Sequence, residues 1–165
     1  MGRNKIRLDH TIRVGEVYVS MVDVTSKPEV YREAKAKGAI NLKRETIQLI
    51  RERKIEKGDP FEVAKVAGIL AAKNTSSLIP LCHPLPLTGV EIKLKIVEGS
   101  KVEVETTVKT RAQTGVEMEA LAAAATALLT IWDMTKQYEK DANGQYPSTS
   151  IQDLHVVNKV KEKQA

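Results

Sequence analysis

Apolar and polar residues alternate strictly at two neighbouring places in the chain. Val90, Ile92, Leu94 and Ile96 alternate with Glu91, Lys93 and Lys95, and Val102, Val104 and Val108 alternate with Glu103, Glu105 and Lys109. A period of two is that of a strand with one buried face. Glu98-Gly99-Ser100 separates the runs, so Gly89 to Val97 and Lys101 to Lys109 predict a β-hairpin. Elsewhere the period is helical. Gly58-Asp59-Pro60 places an N-cap before a proline at the first helical position, and Val63, Val66, Ala67 and Leu70 follow at helical spacing to about Asn74. Leu42, Ile47, Leu49 and Ile50 recur among charges, which predicts a surface helix over Leu42 to Lys54 with Asn41 as its cap.

Thr114-Gly115-Val116-Glu117 matches a capping box and opens a long helix from Val116 to about Tyr138. Its middle, Ala120 to Trp132, is nearly all apolar. A helix apolar on every side is buried on every side, and partner subunits are a natural way to cover it. Val14, Val17, Val19 and Met21 make residues 11–24 read as extended, and Val156, Val157 and Val160 make Asp153 to Val160 a closing strand. The signal from Pro28 to Ile40 is mixed, since Tyr31 to Lys37 suits a helix ended by Gly38. The order predicts an α+β fold, with helices on one face of a mainly antiparallel sheet. No linker divides the chain, so residues 1–165 read as one domain, with 1–12 and 161–165 as flexible tails.

Composition narrows the class. The chain has 165 residues, 42% hydrophobic and 28% charged, enough for one domain with a core. No apolar run approaches the roughly 20 residues of a membrane span, no apolar signal region follows the basic start, and a single cysteine excludes an internal disulfide framework, so the expected location is the cytoplasm. The 26 basic against 21 acidic residues, net +5, suit an anionic partner. With only 4% aromatics, stacking platforms for single-stranded nucleic acid are lacking, which favours a small phosphorylated ligand.

The only cysteine, Cys82, stands beside His83 in an apolar stretch, Ser77 to Leu87, that holds Pro80, Pro84 and Pro86. Each proline forces the residue before it out of the helical region. Such a loop either packs as a stiff connector or holds two reactive side chains still. Too few further ligands accompany Cys82-His83 for a metal, and adjacent residues of an extended loop face opposite ways, which disfavours a Cys–His dyad. On the long helix, Asp133 and Lys136 are three apart and share a face, which suits acid/base work or, more plainly, an ion pair where the helix leaves the core. Glu119 lies 14 residues before Asp133, about 21 Å along the axis at 1.5 Å per residue, too far for one small ligand to touch both within one chain. A carboxylate there could accept from the two donors on the guanine edge, or simply complement the helix dipole. Phosphates would want Lys57, Lys136, Lys159 or Arg32. Lys57 sits just outside a helix N-terminus.

Several segments together resemble the cyclic pyranopterin monophosphate synthase (MoaC) family of molybdenum cofactor biosynthesis. They are Met21-Val22-Asp23-Val24-Thr25, Lys57-Gly58-Asp59, Ala71-Ala72-Lys73, Leu78 to Leu85, Thr114 to Ala120, and Ile131-Trp132-Asp133-Met134-Thr135-Lys136. The resemblance covers about residues 20 to 160. It implies a ferredoxin-like fold, a homohexamer built as a trimer of dimers, and a site between subunits. It implies a lyase that converts (8S)-3′,8-cyclo-7,8-dihydroguanosine 5′-triphosphate to cyclic pyranopterin monophosphate with release of pyrophosphate. That reaction needs no redox metal, and no cofactor is expected. By the same resemblance Asp133 and Lys136 match the acid/base pair. Leu81, Cys82, His83, Met118 and Glu119 match substrate-contacting residues, and Lys57 and Lys159 a basic wall around the triphosphate, with Arg32 as a weaker member. Residues 141–152 differ in length from bacterial members. The alternative is a ferredoxin-like nucleotide- or RNA-binding module without catalysis.

Overall fold

The computed structural model describes residues 19–163. Their elements are β1 (Val30–Asn41), α1 (Arg44–Arg51), α2 (Pro60–Lys73), α3 (Thr75–Leu78), β2 (Leu87–Val97), β3 (Lys101–Ala112), α4 (Glu117–Glu139) and β4 (Ser150–Lys161). The strands form one antiparallel sheet in the order β2-β3-β1-β4. Sheet order and helix placement are those of a ferredoxin-like α+β fold.

The hairpin forms as its alternation predicts. Ile92 pairs with Thr106, Leu94 with Val104 and Ile96 with Val102. The other face carries charge pairs such as Lys95 to Glu103 at 2.7 Å. Helices cover the apolar face. The side of α4 toward the sheet is built from Ala120, Ala123, Ala124, Ala127, Leu128 and Ile131, all fully buried. Small residues let α4 approach closely: Gly38 on β1 lies under Leu128, and Gly68 on α2 lies against the Ala123 backbone. Thr106 donates from its hydroxyl to the Ala120 carbonyl at 2.8 Å, fixing α4 across β3. Truncating Ile131 to alanine would leave a cavity at this seam, at a cost of about 2–5 kcal/mol.

Several expectations are corrected. Tyr31 to Lys37 is strand, not helix. The composition is helix-friendly, but Ala34, Ala36 and Ile40 bury one face between β3 and β4, and tertiary burial overrides propensity. Asn41 ends β1 and caps nothing. Helix α1 starts at Arg44 rather than Leu42 and ends at Arg51, and its start is held by Glu139, whose carboxylate accepts from the Lys43 amide at 3.1 Å and from the Thr46 hydroxyl. The capping box does not form either. Helix α4 has no side-chain cap, and the Glu117 carboxylate folds back over Gly115 and accepts from Lys159 Nζ at 3.1 Å. Residues 19–24 are not strand, and residues 11–18 lie outside the described range. Lys161 ends β4 rather than belonging to a tail, whereas residues 1–12 and 164–165 lie outside the described range. Strand β4 also starts earlier than Asp153 and is bulged there, with Asp153 at φ 57°.

Candidate functional site

Helix α4 carries chemistry at both ends. At its C-terminal end, Asp133 holds two ammonium groups. Lys136 Nζ donates to Asp133 Oδ1 at 2.7 Å, and Lys57 Nζ donates to Oδ2 at 2.8 Å and to the Asp133 carbonyl at 2.9 Å. Lys57 arrives from the turn before α2. That turn is stabilised because Asp59 Oδ1 accepts from the Phe61 and Glu62 amides, and because Pro60 starts the helix. Gly58 supplies the φ of 103° the turn needs. The Lys136 ammonium, then that of Lys57, holds the Asp133 carboxyl down to about 2, well below the ordinary carboxylate range. Asp133 in turn pushes the Lys136 ammonium up. At neutral pH the cluster is therefore one carboxylate between two cations, net positive, and open to solvent.

At the N-terminal end a cavity of about 460 Å³ is lined by Cys82, His83, Met118 and Glu119, with Val22 and Lys27 from the preceding segment. Glu119 is 4% exposed. Burial pushes its carboxyl up, although a backbone hydrogen bond opposes the shift. Burial, and then the Glu119 charge, raises the Cys82 thiol, so this cysteine is a poor nucleophile at neutral pH. His83 Nε2 lies 2.8 Å from the Val22 carbonyl oxygen. A carbonyl can only accept, so that contact places the proton on Nε2 and leaves Nδ1 turned elsewhere.

The Pro-rich loop is not extended throughout. Residues 75–78 form the helical turn α3, and the Cys82 amide donates to the Ile79 carbonyl at 3.0 Å. Cys82 and His83 consequently line the same cavity despite adjacent positions. The loop's far end is fastened where the Thr110 hydroxyl donates to the Pro86 carbonyl at 2.7 Å. It is no buried connector, for Leu78 and Leu81 are exposed.

The structure thus gathers the sequence candidates into two groups. Leu81, Cys82, His83, Met118 and Glu119 meet at one end of α4, with Lys159 reaching its rim through Glu117. Asp133 and Lys136 meet Lys57 at the other. Lys57, expected beside a triphosphate, is the second cation on Asp133. Arg32 is engaged elsewhere, donating to the Ala112 and Gln113 carbonyls at 3.1 and 2.9 Å and so shaping the entry to α4. Sequence reasoning passed over Tyr146, which packs edge-on against Trp132 with ring centroids 5.9 Å apart. It also passed over Glu139, fully buried and bonded to Thr46 and Thr149. Glu139 had one signal: it is an acid in the last turn of α4, where the helix dipole disfavours negative charge. Among the described residues no cluster of three or more His, Cys, Asp or Glu is arranged to hold a metal ion. No helix there is long and apolar enough to cross a membrane.

The fold and these clusters define a ferredoxin-like α+β protein with a lined cavity at the N-terminal end of its long helix and an exposed charge cluster near the other end. The particular family follows from comparison with known proteins. Residues 21–162 match the model of the MoaC family, and the chain belongs to that family. It is 57% identical over 143 residues to the probable cyclic pyranopterin monophosphate synthase of Saccharolobus solfataricus, covering 87% of this chain and 95% of that protein. The protein of the same name from Pyrococcus furiosus is 55% identical over 152 residues, covering 92% and 97%. That from Sulfurisphaera tokodaii is 56% identical over 141 residues, covering 86% and 93%.

Proposed function

We propose that this protein is a cyclic pyranopterin monophosphate synthase of molybdenum cofactor biosynthesis. Its substrate is the 3′,8-cyclised dihydro-GTP, and its products are cyclic pyranopterin monophosphate and pyrophosphate, a lyase reaction. The observation that carries this reading is the Lys57–Asp133–Lys136 cluster, taken with family membership. An ionised aspartate between two ammonium groups stores a proton donor at a fixed place: Lys136 gives and retrieves protons while Asp133 orients it. The net positive charge of the cluster favours the departure of pyrophosphate. At the other end, Leu81, Cys82 and His83, with Met118 and Glu119, hold the base and sugar, and Lys159 supplies charge to the phosphates once Glu117 releases it.

Glu119 and Asp133 lie about 21 Å apart along α4, so one substrate reaches both only if a second subunit brings its own Asp133 end to this Glu119 end. A homohexamer, a trimer of dimers with sites at subunit interfaces, provides that. The exposed apolar residues Leu129 on α4 and Val66 and Leu70 on α2 agree with such contacts. The expected setting is the cytoplasm.

The test is conversion of the cyclised GTP intermediate by Asp133→Asn and Lys136→Ala. Both should lose most turnover, and near-normal turnover in both would remove the pair from the chemistry. Mixing an Asp133→Asn protein with a Glu119→Gln protein should recover part of the activity, because some sites then carry both intact halves. No recovery after confirmed subunit exchange would argue for a site within one chain.

A further inference from the structure

Tyr146 lies in the connection between α4 and β4, and the structure spends several bonds on aiming it. We propose that Tyr146 is a positioning residue for Lys136, an inference that rests on the acid/base reading of Asp133 and Lys136. Asp141 Oδ1 accepts from the Asn143 and Gln145 amides, each at 2.8 Å. The Asp141 amide donates to the Gln145 carbonyl at 2.9 Å, and Gly144 takes the φ of 75° that closes the turn. Beyond Tyr146, Thr149 bonds through its hydroxyl to the buried Glu139 carboxylate. The chain is thus closed into a turn just before Tyr146 and tied to the end of α4 just after it. In the exposed stretch from Asp141 to Ser148, only Tyr146 is half-buried.

Its ring meets Trp132 at 5.9 Å with the planes at 71°. Trp132 and Lys136 are four residues apart and therefore neighbours on one helix face. The aromatic pair stands on the face from which Lys136 extends. A lysine stem has four rotatable bonds, and Asp133 holds only its tip. On this proposal the aromatic pair bounds the stem and removes rotamers in which the ammonium points away. The charged and titratable groups facing Lys136 are Asp133 on its own helix, Lys57 through Asp133, and Tyr146 from this connection; Glu56, near Lys57, is taken up by Gln137 at 3.1 Å. Asp133 contributes most to keeping the proton on Lys136, and the Tyr146 oxygen adds to it.

The experiment compares Tyr146→Ala and Tyr146→Phe in the full-length assembled protein. Three readouts are taken: the pH profile of Lys136 labelling by an amine-reactive reagent, the emission of Trp132 (the only tryptophan), and kcat against KM. Tyr146→Ala should red-shift the emission, move the Lys136 labelling midpoint to lower pH and lower kcat roughly tenfold to hundredfold with KM nearly unchanged. Tyr146→Phe should restore the emission and most of kcat, leaving a smaller downward shift of the midpoint. Wild-type labelling and kcat in Tyr146→Ala, or equal losses in both variants, would overturn the proposal. If the wild-type protein leaves the cyclised GTP intermediate unconverted, the acid/base reading fails separately, and the labelling profiles still decide whether Tyr146 governs Lys136.

Discussion

Gly68→Ala tests the close crossing of α2 and α4 on which the site's geometry depends. A Cβ added at Gly68 would run into Ile92 Cδ1 and would come 2.9 Å from the Ala123 carbonyl oxygen. The isoleucine tip can rotate aside, but the carbonyl belongs to the backbone of α4 and moves only if the helix moves. Overpacking costs about 1–3 kcal/mol, and contact with backbone puts this case in the upper half of that range. Alanine in a helix interior recovers about 1 kcal/mol relative to glycine. The net destabilisation is therefore about 1–2 kcal/mol, a Tm lower by about 2–8 °C for a chain of this size. Thermal melts at one fixed protein concentration measure it, because assembly would otherwise shift Tm. Gly89→Ala is the control: its Cβ would meet only the Lys109 side chain, at 3.7 Å, ordinary contact. Pushing α2 outward also draws Lys57 from Asp133, so the Asp133 carboxyl should titrate higher in Gly68→Ala. A Tm for Gly68→Ala equal to or above wild type would refute the close-crossing argument.

Three further outcomes follow from the charges. Asp133 should titrate near 2 by NMR, so the Lys57–Asp133–Lys136 contacts add stability above the unfolded carboxyl value of about 4 and lose it as pH falls toward 2; Lys136→Ala should raise the midpoint, and an unchanged midpoint would contradict the pairing. Glu119 has the opposite sign. Its raised folded value makes its ionisation cost stability as pH rises above the unfolded value, so Glu119→Gln should melt higher than wild type at neutral pH while losing turnover, and a lower Tm would count against burial as the cause. Glu139→Ala should strand the Thr46 and Thr149 hydroxyls and the Lys43 amide, at a cost of about 1–3 kcal/mol in urea unfolding; a neutral result would show that water replaces the carboxylate.

Local patterns determined much of this protein. The hairpin was legible because Val90 to Ile96 and Val102 to Val108 alternate with period two, and α2 because Asp59-Pro60 carries its own start signal. The Asp133–Lys136 pair was legible because spacing on one helix sets spacing in space. The motifs around Cys82-His83, Met118-Glu119 and Asp133-Lys136 carried the family. Tertiary structure decided what no short window holds. Tyr31 to Lys37 became a strand because its alanines are buried between β3 and β4, a burial supplied by partners far along the chain. Thr114 has no capping role because α4 starts only at Glu117, with Val116 in the cap position, and Lys159, 42 residues from Glu117, takes that carboxylate. Lys57 joined Asp133 across 76 residues, and Tyr146 returned to Trp132 only because Asp141 and Glu139 wind the connection back. Periodicity specifies which face of an element is buried; which residues meet there depends on how closely the elements cross, and here Gly38, Gly68 and the alanines of α4 set that distance.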